Sequence, residues 1–290
     1  DLFQGNVNSI AIGPAPKFMK EDTIYCSYDG HYFYENYNDL IEDKKLNKKP
    51  YYNYYQYIPH RTTSYLNNSI YNAYLEQYGV SDASVLYNQA DIFFKMQNKY
   101  SINASMMYAL ALNESGLGLS QYAIDYNNLF GHAAIDENPD NANQYSSLVA
   151  CVKQHAYNFL QQGYLNPNDS RYHGSWFGDK ASGINVSYAS DPYWGEKAAS
   201  FYYHLDEGGI DKEKNPIQTI ELSNDLKVYA PNKKDVLYTY KKGEIVSIHI
   251  LKEEIGYYKI SSEAPVKDND LNVNSKYKNS YAYIKKSDFK

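Results

Sequence analysis

The sequence predicts an α+β chain: a mostly helical centre, a small β module before it and a small β barrel after it. Three observations point there. Apolar residues recur at three- to four-residue steps from about residue 66 to 206, as on a packed helix face. After residue 216 short alternating runs replace them, the pattern of half-buried strands. Near the start, Asp29-Gly30 lies between two strand-like runs. The expected division is residues 1–64, 65–210 and 211–290.

The elements follow in order. Tyr25-Cys26-Ser27-Tyr28 and His31-Tyr32-Phe33-Tyr34 flank Asp29-Gly30. Both central positions of a type I′ turn need positive φ, so a tight hairpin is expected there. The charged patch Glu42-Asp43-Lys44-Lys45 and the Tyr-rich stretch 51–57 read as a connector. Leu66, Ile70, Tyr74 and Leu75 mark the first helix of the centre. Ser84 is expected to cap a second, running through Leu86, Ala90, Phe93, Phe94 and Met96. Ser101 or Asn103 caps a third, Ala104 to Ser115, which Gly116 stops. Further helices are expected over 147–161 and 191–206, the latter with Pro192 in its first turn, where a missing N–H is tolerated. Asp211-Lys212-Glu213-Lys214-Asn215-Pro216 reads as a charged linker. Strands are expected at 219–222, 227–230, 236–240, 245–251, 257–260 and 281–284, with turns at Asn224-Asp225 and Lys242-Gly243. Strands this short at this spacing suggest a small barrel.

Composition excludes several classes of function. The chain has 290 residues, 43% apolar and 21% charged, with a net charge of −6. That is ordinary for a folded protein, and the mild acidity argues against nucleic acid as the main partner. No run of eighteen apolar residues reads as a membrane span. No charged-then-apolar leader opens the sequence, so a signal peptide is expected to be absent or removed. Cys26 and Cys151 are the only cysteines; neither they nor the 7 scattered histidines have a metal-like spacing. No metal and no organic cofactor is expected. The 35 tyrosines fit either an AT-rich coding bias or a need for flat rings with wet hydroxyl ends, which suit sugar faces.

The chemistry concentrates at Ala109-Leu110-Ala111-Leu112-Asn113-Glu114-Ser115-Gly116-Leu117-Gly118. Glu114 ends an otherwise apolar helix and shares a face with Met106 and Leu110. Desolvation there would raise its pKa and keep it protonated near neutral pH, as a general acid requires. The alternative is a solvent-facing Glu at a helix end. Tyr126-Asn127-Asn128-Leu129-Phe130-Gly131 reads as a turn carrying an aromatic. Trp176, Tyr188, Tyr193 and Trp194 are candidate stacking platforms for sugar rings; each also fits a core position.

Three motifs in order carry a resemblance: Ala111-Leu112-Asn113-Glu114-Ser115-Gly116, Asn127-Asn128-Leu129-Phe130-Gly131, and residues 180–197 from Lys180-Ala181-Ser182-Gly183 through Tyr188-Ala189-Ser190-Asp191-Pro192-Tyr193-Trp194-Gly195-Glu196-Lys197. From about Asn103 to His204 the chain resembles the family 73 glycoside hydrolases, the endo-β-N-acetylglucosaminidases of bacterial cell-wall autolysins. The resemblance implies a lysozyme-like fold with a cleft between two lobes. It implies cleavage of the β-1,4 bond between N-acetylglucosamine and N-acetylmuramic acid in peptidoglycan glycan strands. It implies Glu114 as general acid and Tyr188 near the cleaved bond. Asn128, Phe130, Trp176, Asp191, Tyr193 and Trp194 are expected along the sugar groove. Asp191, just before a proline, also fits a helix N-cap.

A glycosidase usually needs a second group on the other face of the sugar. Some family members place a Glu shortly after a Tyr-Ser-Ser position, but Tyr145-Ser146-Ser147 is followed here by Leu148-Val149-Ala150-Cys151-Val152-Lys153. Asp136 and Glu137 are the favoured replacements, with Asp140 nearby. The alternative is attack by the substrate's own acetamide oxygen. Lys242-Gly243-Glu244-Ile245-Val246, Gly256-Tyr257-Tyr258-Lys259-Ile260 and Tyr281-Ala282-Tyr283-Ile284 resemble a bacterial SH3-like domain. The resemblance implies a monomer, secreted or cell-wall associated in a Gram-positive bacterium. A muramidase or lytic transglycosylase shares the Glu-Ser-Gly helix and is the enzyme alternative; a non-catalytic wall-binding protein is the other.

Overall fold

A computed structural model describes residues 9–132, 143–277 and 280–290. Strands β1 (Cys26–Ser27) and β2 (Phe33–Tyr34) open it. Helices follow: α1 (Tyr37–Ile41), α2 (Tyr54–Tyr57), α3 (Asn68–Gln77), α4 (Ala90–Tyr100), α5 (Ala104–Glu114), α6 (Gln121–Tyr126) and α7 (Leu148–Gln154). A π-helix (His155–Tyr164) continues α7, then come α8 (Asn185–Tyr188), α9 (Trp194–Leu205) and α10 (Ile210–Lys214). The chain ends in β3 (Ile217–Glu221), β4 (Leu226–Tyr229), β5 (Val236–Tyr240), β6 (Ile245–Glu254), β7 (Tyr257–Ser261), β8 (Val266–Lys267), β9 (Asp270–Leu271) and β10 (Tyr281–Lys285).

Short polar side chains set the helix starts. The side chains of Asn67, Asn103, Ser120 and Ser147 accept from the backbone N–H three residues on, at Ile70, Met106, Ala123 and Ala150. Each satisfies a donor the helix leaves orphaned. Ala104 to Leu112 of α5 are buried without exception, as expected for a helix apolar all round. It packs between α4 and α9, and each buried Leu or Met on it contributes about 2 kcal/mol. Gly116 (φ +55°) and Leu117 (φ +63°) then turn the chain in the left-handed region, and Leu117 N–H closes on Leu112 O at 2.8 Å.

Four expectations are corrected. β1 and β2 pair Cys26 with Tyr34 and Ser27 with Phe33, so the loop is five residues, not two. Asp29 Oδ1 organises it by accepting from His31 and Tyr32 N–H, a local Asp-backbone turn in place of the type I′ geometry. Ser84 caps no helix; its hydroxyl donates to Leu117 O at 2.6 Å, and α4 begins six residues later. The helix expected over 147–161 turns into the π-helix at His155. The stretch expected as a linker forms α10, anchored by Asp211, which is fully buried and accepts from Tyr65 N–H and the Tyr202 hydroxyl.

Six strands form one antiparallel sheet in the order β3-β6-β7-β10-β4-β5, and β8 pairs with β9. β6 serves β3 with its first half and β7 with its second, with a register shift between Ile250 and Lys252, where a bulge bends a strand. The buried side of this sheet packs around Leu226, Val228, Ile260, Ala282 and Ile284, joined by Tyr57 and Trp176 from outside it. The second core belongs to the helices. Polar contacts bridge the two: Arg61 Nε to Glu263 O at 2.8 Å, the Tyr172 and Tyr240 hydroxyls at 2.8 Å, and Gln161 Nε2 to Val273 O at 2.7 Å.

Candidate active site

Glu114 is the last residue of α5 and is half-buried. Burial raises its pKa above the ordinary value, and the Asp191 charge adds to this. Hydrogen bonds from Trp194 and Asn113 oppose the rise. Trp194 Nε1 lies 2.5 Å and Asn113 Nδ2 3.4 Å from the same oxygen, Glu114 Oε1. Among the described residues no lysine or arginine pairs with Glu114.

Trp194 opens α9 and is almost fully buried. Its ring meets Phe177 edge-on at 5.9 Å and lies tilted on Tyr188 at 4.7 Å. The next residue sets its distance from Glu114. A Cβ on Gly195 would collide with the carbonyl oxygen of Gly178, so only glycine lets the helix start sit on that loop. Tyr188 is half-buried, with its ring also against Tyr164 at 5.3 Å. Its hydroxyl donates to Phe130 O at 3.5 Å. Burial, then the nearby Glu114 charge, pushes its pKa well up, so it stays a neutral phenol, able to donate.

The Asn-Asn-Leu-Phe-Gly segment reaches both Tyr188 and Glu114. Asn127 takes the left-handed conformation at φ +52°. Asn128 accepts from His132 N–H and donates to His132 O, both at 3.0 Å. Phe130 stacks on His155 at 3.8 Å. Together these place Gly131 beside the acid: a Cβ there would lie 3.9 Å from Glu114 Oε2, with no other non-neighbouring heavy atom of the described residues within 4 Å.

The expected site residues separate accordingly. Glu114, Tyr188 and Trp194 converge. Trp176 does not join them: it is fully buried, with Nε1 donating to Ser182 Oγ at 3.0 Å, so its ring has no face free for a sugar. Phe130 and Asn128 are also buried, at 2% and 1% exposure; they shape the wall and do not present a surface. Asp191 accepts from Tyr193 N–H and pairs with Lys197 Nζ at 2.6 Å, whereas the N-cap position of α9 belongs to Tyr193. Tyr193 is 65% exposed and is the one aromatic among these candidates with a broad free face. Asp136, Glu137 and Asp140 lie outside the described residues.

Sequence reasoning missed Asn113, Gly131, Tyr164 and a buried histidine pair. His132 Nε2 meets His155 Nδ1 at 3.2 Å, and His132 Nδ1 meets the Tyr145 hydroxyl at 2.7 Å. Burial lowers both histidines, His132 to about 4, so the pair is neutral. Gly131 could have been found, since it closes a quoted motif; Tyr164 carries no local signal. A recess of about 290 Å³ lies between α3 and the end of α9, and a smaller one of about 130 Å³ beside Tyr172 and Tyr240; Glu114 lines neither. Among the described residues no cluster of His, Cys, Asp and Glu could hold a metal ion, and no helix is long and apolar enough to cross a membrane.

Residues 90–207 match the glucosaminidase family, described as mannosyl-glycoprotein endo-beta-N-acetylglucosaminidase. Over 130 residues the chain is 37% identical to two Streptococcus pneumoniae proteins, of strains TIGR4 and R6, each named "Putative endo-beta-N-acetylglucosaminidase". The match covers 44% of this chain and 19% and 18% of theirs, so the chain spans about a fifth of the length of these curated relatives. Among solved structures it is similar to S. aureus Autolysin E, with 21% identity and a TM-score of 0.43 over 66% of this chain and 87% of that one. A catalytic mutant of Autolysin E, in complex with the disaccharide NAG-NAM, aligns over the same shares at 20% identity and a TM-score of 0.43. A major bifunctional autolysin aligns at 25% identity and a TM-score of 0.38, over 52% and 68%. A glucosaminidase-family domain therefore lies within residues 90–207.

Proposed function

We propose that the chain is a peptidoglycan hydrolase, a glycoside hydrolase that cleaves the β-1,4 bond between N-acetylglucosamine and N-acetylmuramic acid. The observation that carries this reading is a half-buried carboxyl at the end of an apolar helix, bonded by two neutral donors on one oxygen and, among the described residues, unpaired with any cation. The glucosaminidase match over residues 90–207 supports it.

In this reading Glu114 donates its proton to the glycosidic oxygen. The bond from the anomeric carbon to that oxygen breaks, and its electron pair stays with the oxygen. A water molecule then supplies hydroxide to the anomeric carbon; its proton goes to a carboxylate of Asp136 or Glu137 if water attacks directly, or to Glu114 if the substrate's acetamide oxygen has attacked first. Tyr188 is suited to orient that acetamide. Tyr193 offers a face to a neighbouring sugar ring. Residues 1–64 serve as an accessory module, 65–210 as the lysozyme-like catalytic unit and 211–290 as an SH3-like barrel; the bend in β6 supports the last assignment. The protein acts as a secreted or wall-associated monomer of a Gram-positive bacterium.

Glu114→Gln tests the role of the acid. It removes the proton with little change in volume and should reduce wall lysis by about 10³-fold while the melting temperature holds. Because burial raises the Glu114 pKa, lysis should fall as pH rises through that raised value. Mass spectrometry of digested wall should find N-acetylglucosamine at the new reducing ends. Reducing muramic acid or an anhydro-muramic product would instead identify a muramidase or a lytic transglycosylase, and binding without solubilisation a wall-binding protein.

A further inference from the structure

An indole N–H donates and cannot accept. The 2.5 Å bond from Trp194 Nε1 therefore keeps Glu114 Oε1 an acceptor in either protonation state. Asn113 Nδ2 aims a second donor at the same oxygen. A protonated carboxyl has one carbonyl-like oxygen and one that carries hydrogen, and two donors on Oε1 select it as the carbonyl. We infer that Trp194 is a positioning residue that fixes the catalytic proton of Glu114 on Oε2, the oxygen facing Gly131. This rests on the reading of Glu114 as the general acid.

The surroundings of Oε2 fit the assignment. A Cβ at position 131 would meet Oε2 at 3.9 Å and, among the described residues, no other non-neighbouring heavy atom within 4 Å. Among the described residues, the hydrogen thus faces the side where Gly131 lacks a side chain, the side from which a glycosidic oxygen would approach. Trp194 is itself held by Phe177, by Tyr188 and by the close approach of Gly195 to Gly178, so its N–H does not wander between the two oxygens.

The chain has 2 tryptophans, which makes the contact directly observable. In protein labelled with ¹⁵N-tryptophan, the Trp194 indole resonance should shift with the ionisation of Glu114. The Trp176 resonance, bonded to Ser182, should stay fixed and serve as the internal reference. Glu114→Gln should abolish the Trp194 shift. A flat Trp194 resonance, or one that still titrates in Glu114→Gln, overturns the inference.

Trp194→Phe keeps the ring and removes the donor. The lost bond favours the charged form, so the alkaline limb of kcat/KM on a soluble wall-glycan fragment should move up by roughly one pH unit. kcat should fall about tenfold, with KM within about twofold. A merely structural role would lower the folded fraction and leave the limb in place. Gly131→Ala should cost far more activity than Gly79→Ala, which also has a positive φ (+66° against +61°) but adds its methyl to open space; equal losses would count against the orientation of Oε2. If Trp194→Phe does not fold, the titration of the unmodified protein decides. If the native protein does not digest wall at all, the hydrolase reading fails, while the indole titration still judges the contact.

Discussion

Glu114 in the helical body and Glu263 beneath the C-terminal sheet are both carboxyls whose pKa burial raises, Glu263 to about 7. Their surroundings differ. Glu263 is enclosed at 4% exposure; its Oε1 accepts from the Tyr240 hydroxyl at 3.2 Å, and its backbone carbonyl receives Arg61 Nε. Glu114 is half-open, with both donors on one oxygen and space beside the other. A raised pKa therefore does not distinguish an acid catalyst from a buried strut. Access does.

The largest stability effect should come from Arg61→Ala. Arg61 donates to Glu263 O and, at 2.6 Å, to Tyr100 O, with its guanidinium 4.2 Å from the centre of the Tyr277 ring. Its removal leaves two buried carbonyls without a donor and should cost roughly 3–5 kcal/mol. Chemical denaturation measures this, and activity per folded molecule should persist. A loss of activity with no loss of stability would erase the contrast between the two regions.

Next comes the pH dependence of stability. Glu263 binds its proton more tightly folded, at about 7, than unfolded, near 4.5. Its contribution is fully present below about 4.5, is lost as pH rises to about 7, and is constant above. The span is about 3 kcal/mol. Glu263→Gln should flatten that slope in urea titrations across this window; an unchanged slope would place the proton elsewhere. The smallest effect belongs to the exposed pair Lys241–Asp225, 2.9 Å apart. Lys241→Ala should leave the melting temperature within about 2 °C, as scanning calorimetry would show, so that the contrast concerns buried groups and not charge in general.

Local signals in the sequence reached far into the fold. Asn103 and Ser147 identify helix starts because a cap acts over three residues. Strand β5 falls where it is expected, at 236–240, because alternation has a period of two. Glu114 stands out because an acid on an apolar helix is costly. What stayed hidden depends on partners far away in the chain. Trp176 reads as a sugar platform until Tyr57 and the sheet cover it. Asp211 reads as part of a linker until Tyr65 and Tyr202 reach it. The π-helix has no pattern distinct from an α-helix over 155–164. The bond between Glu114 and Trp194 joins residues 80 apart, and neither motif alone specifies it.

The contact between Gly178 and Gly195 has a practical consequence. One bare α-carbon, that of Gly195 against the Gly178 carbonyl, governs how far an indole can reach toward a carboxyl on another helix. Anyone grafting this centre onto a different scaffold would have to transplant that empty position, and the carbonyl it rests on, with the acid; moved alone, the reactive groups would arrive out of range of each other.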